Sequence, residues 1–172
     1  MNEFNAVIQQ VVQVSPIMKV IRVAPLGWEL PDFKPGQFVG LGLPGTSSRC
    51  AEATEEFKAP DDPDKLIKRA YSVASSNVSK DYVEFYITLV HSGSLTPRLF
   101  DLKIGDKLWM GQRFTGMFTL EEVDENKNIV LIATGTGVAP YMSMLRSDAL
   151  RRKGKIVVVH GASNSWDLGY SS

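Results

Sequence analysis

Three short segments of this 172-residue chain carry side chains that are suited to chemistry or to ligand binding. The first is Arg69-Ala70-Tyr71-Ser72, in which arginine offers a planar fork for a diphosphate and tyrosine a flat ring for stacking. Because alternate residues of a strand share a face, Arg69 and Tyr71 should point one way and Ser72 the other. The set suits a ligand with a charged part and a planar part. Taken alone, however, an ordinary strand with Tyr71 in the core and Arg69 on the rim is the better explanation.

The second segment is a glycine turn, Gly135–Gly137, which follows an apolar run and precedes a helical pattern. Backbone N–H groups at a helix start and the positive end of the helix dipole favour a phosphate there. The pattern departs from a dinucleotide-binding fingerprint, because Pro140 stands at the third small position and no acidic residue follows the next strand. A βα turn that uses glycine for tight packing explains the segment about equally well.

The third segment is a helix start near Ser94 and Thr96, which is able to receive a phosphate but is explained more simply by helix capping. Two other reactive side chains are weaker candidates. His91 follows a strand and is interpreted as a loop residue. Cys50 lies in an acidic stretch with no visible activating group, so a nucleophilic role is not expected.

Strands are predicted up to about residue 120, where apolar residues alternate with polar ones between frequent glycines and prolines. The predicted strands are Val7–Val14, Met18–Ala24, Phe38–Leu43, Tyr82–Val90 and Lys107–Met110. Several short strands at near-regular spacing favour an antiparallel barrel or sandwich. A short helix interrupts them, with a cap-type residue, Pro97 near its first position and a stop at Gly105.

The pattern changes after about residue 125. Two apolar runs, Asn128–Thr134 and Lys155–His160, are typical of strands buried on both faces. Between them, Pro140–Arg152 has helical spacing at Met144, Leu145 and Ala149, and the basic run Arg151–Lys153 is expected to cap this helix. Strand, glycine turn, helix and strand make one βαβ unit, whereas a complete doubly wound nucleotide domain needs more strands. We therefore expect an incomplete α/β domain. Its last residues do not resemble the natural end of a fold.

Between the predicted strands lies an acidic stretch, Thr46–Lys68, without apolar periodicity and broken by two prolines. It is expected to be a solvated or partly disordered loop.

Composition excludes several classes of protein. Nineteen basic residues balance nineteen acidic ones, so the zero net charge argues against nucleic acid or an anionic membrane surface as the partner. One cysteine and two separated histidines make a disulfide or a metal site improbable. With no export leader and no long apolar run, the sequence predicts a cytoplasmic protein without a membrane span.

The order of the motifs is more specific than any one of them. Arg-x-Tyr-Ser comes first, followed by Phe85–Val90, Gly93–Leu99, Gly105-Asp106 and Ala133–Tyr141. This series resembles the ferredoxin–NADP reductase family in its bacterial form, over essentially the whole chain apart from the acidic stretch. The resemblance implies that residues 1–122 form a Greek-key antiparallel FAD-binding barrel with an acidic insertion at 46–68. Residues 123–172 would be the N-terminal part of a Rossmann-like NADP(H)-binding α/β domain.

The resemblance also implies site residues. Arg69 would clamp the FAD diphosphate, Tyr71 would stack on the isoalloxazine ring and Ser72 would hydrogen-bond near its reactive N5 edge. The implied FAD-binding residues are Arg69, Ala70, Tyr71, Ser72, Ile87, Thr88, Leu89, Ser94, Leu95, Thr96 and Thr136. The implied NADP(H)-binding residues are Thr134, Gly135, Thr136, Gly137, Ala162 and Ser163. Ser163 stands where the family usually has an arginine, which weakens the preference for NADP(H) over NAD(H).

The function that the resemblance implies is an FAD-dependent reductase that passes electrons between NADP(H) and ferredoxin or flavodoxin, through hydride and single-electron steps. No general acid or base is assigned, because the flavin supplies the chemistry. The resemblance implies no particular oligomeric state. Two alternatives stay open: a flavin-binding electron-transfer subunit or fragment without its own NADP(H) turnover, and a non-enzymatic barrel whose glycine turn is structural.

Overall fold

Six antiparallel strands build the first part of the chain in the computed structural model, which describes residues 4–147 and 151–171. They are β1 (Ala6–Ser15), β2 (Met18–Pro25), β3 (Phe38–Pro44), β4 (Leu66–Ser72), β5 (Val83–Thr88) and β6 (Lys107–Met110). Their order in the sheet is β4-β3-β6-β1-β2-β5, and all the pairings are antiparallel. The chain after β4 returns to the far edge, where the Ala74 N–H donates to the carbonyl oxygen of Glu84 at 2.8 Å. The expected antiparallel barrel is confirmed.

The barrel core is made by the inward-facing residues of the alternating strands. It contains fully buried side chains from five strands, namely Ile8, Val23, Leu41, Phe85 and Leu108. Burying an aliphatic or aromatic side chain of this size contributes about 1.5–3 kcal/mol.

A short helix, α1 (Thr96–Asp101), follows β5 and contributes Leu99 and Phe100 to the barrel core. The predicted helix position is correct, but the predicted cap is not. Leu95 occupies the N-cap position without a side-chain cap. The Thr96 hydroxyl instead accepts a hydrogen bond from the Val90 N–H at 2.9 Å, which ties the helix start to the end of β5. The helix also ends before Gly105, which forms the later turn into β6 with a φ of +93°.

The second part is a small parallel α/β unit. β7 (Ile129–Thr134) runs into a 3₁₀ turn (Gly135–Val138), then α2 (Ala139–Ser147) and β8 (Ile156–Gly161), with a second 3₁₀ turn at Ser165–Asp167. β7 and β8 are parallel and in register from Ile129 opposite Ile156 to Thr134 opposite Gly161. The expected start of a Rossmann-like unit is confirmed. Ala149, which the helical spacing included, lies outside the described residues.

The prediction that β7 and β8 are buried on both faces is wrong. On one face, Leu131 and Ala133 of β7 are buried. On the other face, four β-branched side chains are between 49% and 70% exposed: Val130, Ile132, Val157 and Val159. Each face of a sheet needs a packed layer to be buried, and β2, β5 and α2 supply that layer on one side. We call the four exposed residues the open valine–isoleucine face.

Two residues of the basic run after α2 contact the turn before β7. The Arg152 guanidinium donates to the carbonyl oxygens of Val123 (3.1 Å) and Asp124 (2.5 Å), and Lys153 pairs with Glu125 at 3.0 Å. These contacts fasten the approach to β8 to the turn before β7.

The α/β unit is held against the barrel by a buried carboxylate, Glu84 of β5. It accepts hydrogen bonds from Arg146 (2.5 Å) on α2, Arg22 (3.0 Å) on β2 and the Tyr170 hydroxyl (2.9 Å). Burial raises the pKa of Glu84, but the hydrogen bonds from Arg146, Arg22 and Tyr170 and the charge of Arg146 more than offset this and hold it below its usual value. We call these four residues the Glu84 cluster.

Within the described ranges, no helix is long and apolar enough to cross a lipid bilayer.

Candidate functional site

A cleft of about 1060 Å³ opens between β4 and the turn that leads into α1. It is lined on one side by Lys65–Tyr71, on another by Ser92–Thr96, and at its end by Phe57–Asp61. The structure therefore brings together six of the residues predicted for FAD binding, which are Arg69, Ala70, Tyr71, Ser94, Leu95 and Thr96. Strand pairing explains one wall, because β4 lies against β3 with Arg69 opposite Leu41 and Tyr71 opposite Val39.

Arg69 is an exposed cation on the cleft wall. Its guanidinium donates a hydrogen bond to the carbonyl oxygen of Lys68 at 2.8 Å, which uses one of its five N–H donors. Lys58 and Lys65 line the same cleft, where Asp61 pairs with Lys58 at 3.7 Å. The side chains on this wall favour an anionic ligand.

Tyr71 presents a half-buried ring on the same face of β4. The ring meets Phe85 edge to face, with 6.4 Å between centroids. Burial raises the pKa of Tyr71 to about 12, against a smaller opposing effect of Arg69. The ring is thus held in place by the barrel core and stays uncharged across the physiological range. Ser72 is half-buried and does not line the cleft.

Three residues predicted for flavin binding have side chains outside the cleft. Ile87 and Leu89 are buried in the barrel core. The Thr88 hydroxyl donates to the sulfur of Met18 at 3.0 Å. Any contact of Ile87 or Leu89 with a ligand in the cleft would have to be made by the backbone.

The acidic stretch is anchored by a buried ion cluster that sequence reasoning missed. Arg98 of α1 makes a bidentate pair with Glu56, with distances of 2.7 and 3.2 Å, and Arg49 adds a contact at 3.3 Å. The hydrogen bonds from Arg98 are the largest influence on the carboxyl of Glu56 and lower its pKa. The Arg98 side chain is only 4% exposed. We call these three residues the Glu56 cluster.

The prediction of a solvated or partly disordered stretch at Thr46–Lys68 is therefore wrong for its anchored part. Its last three residues belong to β4, and Cys50 is buried in the barrel core, where burial and Glu52 raise the pKa of the thiol. The available sequence signal was Arg98, a charged residue among apolar neighbours in a short helix. Such a cation needs a buried anionic partner, and the acidic stretch is where it is found.

The glycine turn forms a second candidate site at the carboxyl ends of β7 and β8. Gly135 adopts the left-handed conformation, with a φ of +53°, which only glycine enters without strain. The His160 ring donates from Nε2 to the carbonyl oxygen of Gly135 at 2.8 Å, which clips the turn to β8. The register places Thr134 opposite Gly161, so Thr134–Gly137 and Ala162–Ser163 meet at one edge of the sheet. Ligands of parallel α/β sheets bind at this edge.

Thr136 was predicted to contact both nucleotides. It lies in the 3₁₀ turn and is half-buried. It does not line the cleft between β4 and α1, so the structure places it with the glycine turn.

The described end of the chain also contacts the barrel. The Tyr86 hydroxyl of β5 donates to the carbonyl oxygen of Asp167 at 2.5 Å and accepts from the Gly169 N–H at 3.1 Å. The rings of Tyr86 and Tyr170 meet edge to face at 5.2 Å. These contacts join β5 to the segment after β8.

Comparison with known proteins relates both parts of the chain to electron-transfer reductases. The model of the oxidoreductase NAD-binding domain family matches residues 131–172, which include most of β7, the glycine turn, α2 and β8. A flavodoxin/ferredoxin–NADP reductase from Shigella flexneri is 34% identical over 139 residues, covering 80% of this chain and 49% of that protein. A ferredoxin–NADP reductase from Azotobacter vinelandii is also 34% identical over 139 residues, covering 80% of this chain and 47% of the relative.

A solved structure gives a similar result for the fold. A ferredoxin NADP+ reductase from Neisseria gonorrhoeae, with bound FAD and NADP, superposes with a TM-score of 0.75 and 25% identity. The superposition covers 98% of this chain and 61% of that one. The chain spans about half the length of the curated relatives that it matches.

Proposed function

Because this chain is related to the ferredoxin–NADP reductase family, both in sequence over 80% of its length and in fold, we propose that it binds FAD in the cleft beside β4. We further propose that it passes electrons between NADP(H) and a ferredoxin or flavodoxin. The observation that carries the proposal is the cleft itself, whose walls hold both Arg69–Tyr71 and Ser94–Thr96. These segments are 25 residues apart in sequence at Arg69 and Ser94, and the barrel brings them together.

The residues of the cleft fit this cofactor. A cleft of about 1060 Å³ is slightly larger than the range of about 300–1,000 Å³ that is usual for small-molecule sites. In the proposal, Arg69 binds the diphosphate with its remaining N–H donors. Tyr71 supplies an uncharged ring on which the isoalloxazine stacks, because its pKa of about 12 keeps the phenol neutral.

The end of β4 links this cleft to the α/β unit. The Ala74 carbonyl oxygen, three residues beyond Tyr71, accepts from Arg146 of α2 at 3.0 Å. Ser75 accepts from the Ser143 hydroxyl at 2.7 Å. Ser72 lies between the two sites in sequence, and we propose that it hydrogen-bonds the edge of the flavin near N5. The flavin, when bound, supplies hydride and single-electron chemistry, while the chain's own residues bind and orient it.

The nicotinamide nucleotide is proposed to bind at the glycine turn. Thr134, Gly135, Thr136 and Gly137 would receive it from one strand end, and Ala162 and Ser163 from the other. The Gly135 carbonyl is held by His160, so the turn is already shaped before a ligand arrives. Ser163 offers a hydroxyl rather than a cation. The affinities for NADP(H) and NAD(H) are therefore to be compared by binding measurements. We propose a cytoplasmic location, which the buried free thiol of Cys50 supports.

The first test is FAD titration of the purified chain and its Arg69→Ala variant. We expect the variant to bind FAD at least about tenfold more weakly, because charge-assisted hydrogen bonds contribute about 1.5–3 kcal/mol each. Arg113→Ala is the matched control, since Arg113 is an exposed arginine outside the cleft. A wild-type chain that stays colourless after reconstitution with FAD would contradict the proposal, and unchanged affinity in Arg69→Ala would contradict the clamp role.

A second candidate function is a flavin-binding electron-transfer unit without its own NADP(H) turnover. The observation in its favour is the α/β unit, which has two strands within the described residues and an open valine–isoleucine face. Steady reduction of an artificial acceptor by this chain with NADPH would eliminate this candidate. FAD binding without such turnover would favour it.

A further inference from the structure

The backbone of the cleft wall just before α1 is held by an unbroken set of hydrogen bonds. Four consecutive carbonyl oxygens accept from protein donors, and they belong to His91, Ser92, Gly93 and Ser94. A loop carbonyl oxygen is satisfied equally well by water, so four protein donors in succession indicate a segment that is kept in one shape. We call residues 91–94 the braced wall.

Two of the donors are backbone groups of the acidic stretch. The Thr54 N–H donates to the carbonyl oxygen of His91 at 3.0 Å, and the Phe57 N–H donates to that of Ser92 at 3.1 Å. The acidic stretch therefore runs alongside the braced wall and pairs with it residue by residue, although neither segment belongs to a strand.

Arg49 joins the acidic stretch to the braced wall through its side chain. Its guanidinium donates to the carbonyl oxygen of Gly93 at 2.7 Å from one terminal nitrogen, and to those of Thr54 (2.7 Å) and His91 (3.0 Å) from the other. The rigid fork of arginine allows one side chain to bridge two segments in this way. Arg49 does not line the cleft, so it acts on a ligand there through the wall and not by contact.

Glu56 fixes the arginines that hold the last two oxygens. Its carboxylate lies 3.3 Å from Arg49 and 2.7 Å from Arg98, and Arg98 donates to the carbonyl oxygen of Ser94 at 2.5 Å. One carboxylate of the acidic stretch thus keeps both side-chain donors in place.

We infer that the acidic stretch is a brace for the cofactor cleft, in which Arg49 is a positioning residue that keeps the braced wall ready to receive FAD. This inference rests on the proposed function, since it takes FAD as the ligand. A wall that is ordered in advance loses little freedom when the ligand binds. In addition, oriented backbone groups carry fixed partial charges, and a carbonyl oxygen free to turn toward the cleft would repel a diphosphate.

The test is FAD titration of the wild-type chain, Arg49→Met and Arg152→Met. Arg49→Met should weaken FAD binding about tenfold, because the wall must then be ordered at the expense of binding. Arg152→Met is the matched control, since Arg152 also holds three carbonyl oxygens, those of Val123, Asp124 and Lys127, and lies outside the cleft. It should lower the stability of the fold and leave FAD affinity unchanged.

Arg49→Lys is a milder variant that keeps a cation beside Glu56 and loses the fork. Its FAD affinity should lie between those of the wild type and Arg49→Met, and it provides the measurement if Arg49→Met does not fold. Glu56→Gln separates position from charge. If the Glu56 cluster acted through its electrostatic field, removing a negative charge would strengthen the binding of an anionic ligand, whereas loosening the two arginines weakens it.

The outcomes distinguish this inference from the proposed function. Unchanged FAD affinity in both Arg49 variants, an equal loss in Arg152→Met, or tighter binding in Glu56→Gln would each overturn the inference alone. A wild-type chain that does not bind FAD would overturn the proposed function and this inference together.

Discussion

At the scale of single residues, the environment of Tyr71 sets both its position and its charge. The ring is packed against Phe85, so its hydroxyl is poorly solvated, and the ionised form is disfavoured by burial. The neutral ring is then available as a stacking surface. A charged phenolate at this place would repel a diphosphate bound at the neighbouring Arg69.

This environment predicts the alkaline titration of Tyr71. Its pKa of about 12 lies above the value of about 10 for an exposed tyrosine. The stabilisation from its burial is therefore complete below about pH 10 and is lost as the pH rises through the folded pKa. The difference in tyrosinate absorbance between wild type and Tyr71→Phe should show a transition near pH 12. A transition near pH 10 would mean that the ring is exposed.

The faces of β4 were predictable from sequence by strand alternation, whereas the set of residues that line the cleft was not, because consecutive residues of β4 line it. Arg69 and Tyr71 share a face of β4 and Ser72 does not, as a period of two requires. Ile87 and Leu89 could not be assigned in this way, because β5 is covered on both faces. Ile87 faces the barrel core, while Tyr86 beside it faces the α/β unit. Alternation does not distinguish a ligand-facing side from a protein-facing side when both are covered.

At the scale of elements, the acidic stretch shows why local sequence patterns were insufficient to predict its structure. Its lack of apolar periodicity correctly indicated a loop, but the loop is anchored by contacts that include an ion pair between residues 42 positions apart. A pairing over that distance leaves no periodic trace in the sequence. Similarly, the apolar runs of β7 and β8 correctly predicted two strands, but only neighbouring layers determine which faces become buried.

The Glu56 cluster predicts a large effect of Arg98 on stability. Arg98→Met should lower the free energy of unfolding by about 3 kcal/mol, because it leaves the mostly buried Glu56 carboxylate without its main partner. Urea denaturation measures this change. Lys34→Met is the matched control, since the Lys34–Glu121 pair is about half exposed on both sides and such pairs contribute about 0–1 kcal/mol. Equal losses in the two variants would contradict the role given to the cluster.

At the scale of the whole molecule, the Glu84 cluster determines how the glycine turn stands relative to the cleft. Glu84 belongs to the barrel and Arg146 to α2, and the same arginine also holds the Ala74 carbonyl just beyond β4. Arg22 approaches the carboxylate from β2. The two candidate sites are therefore joined by charged contacts as well as by apolar packing, and these contacts depend on pH.

This arrangement predicts a pH-dependent difference between wild type and Glu84→Gln. Because the folded pKa of Glu84 is below its ordinary value of 4.5, its ionised form stabilises the fold above that pH, and the contribution is lost as the pH falls through the folded pKa. The variant should melt at a lower temperature at neutral pH, and the gap should narrow below about pH 4.5.

Thermal unfolding at several pH values measures this gap. Glu125→Gln is the control, because the Glu125–Lys153 pair is more than half exposed and its loss should change the melting temperature little. A gap between wild type and Glu84→Gln that stays constant down to acidic pH would show that ionisation of Glu84 does not contribute.

The open valine–isoleucine face also affects the solubility of the chain. Its four β-branched side chains meet water, and equal numbers of basic and acidic residues give the chain no net charge at neutral pH. Electrostatic repulsion is then too weak to keep two such faces apart, because colloidal stability depends on net charge. Solubility should therefore be lowest near the isoelectric point of about 6.7, and salting-out should begin on this face.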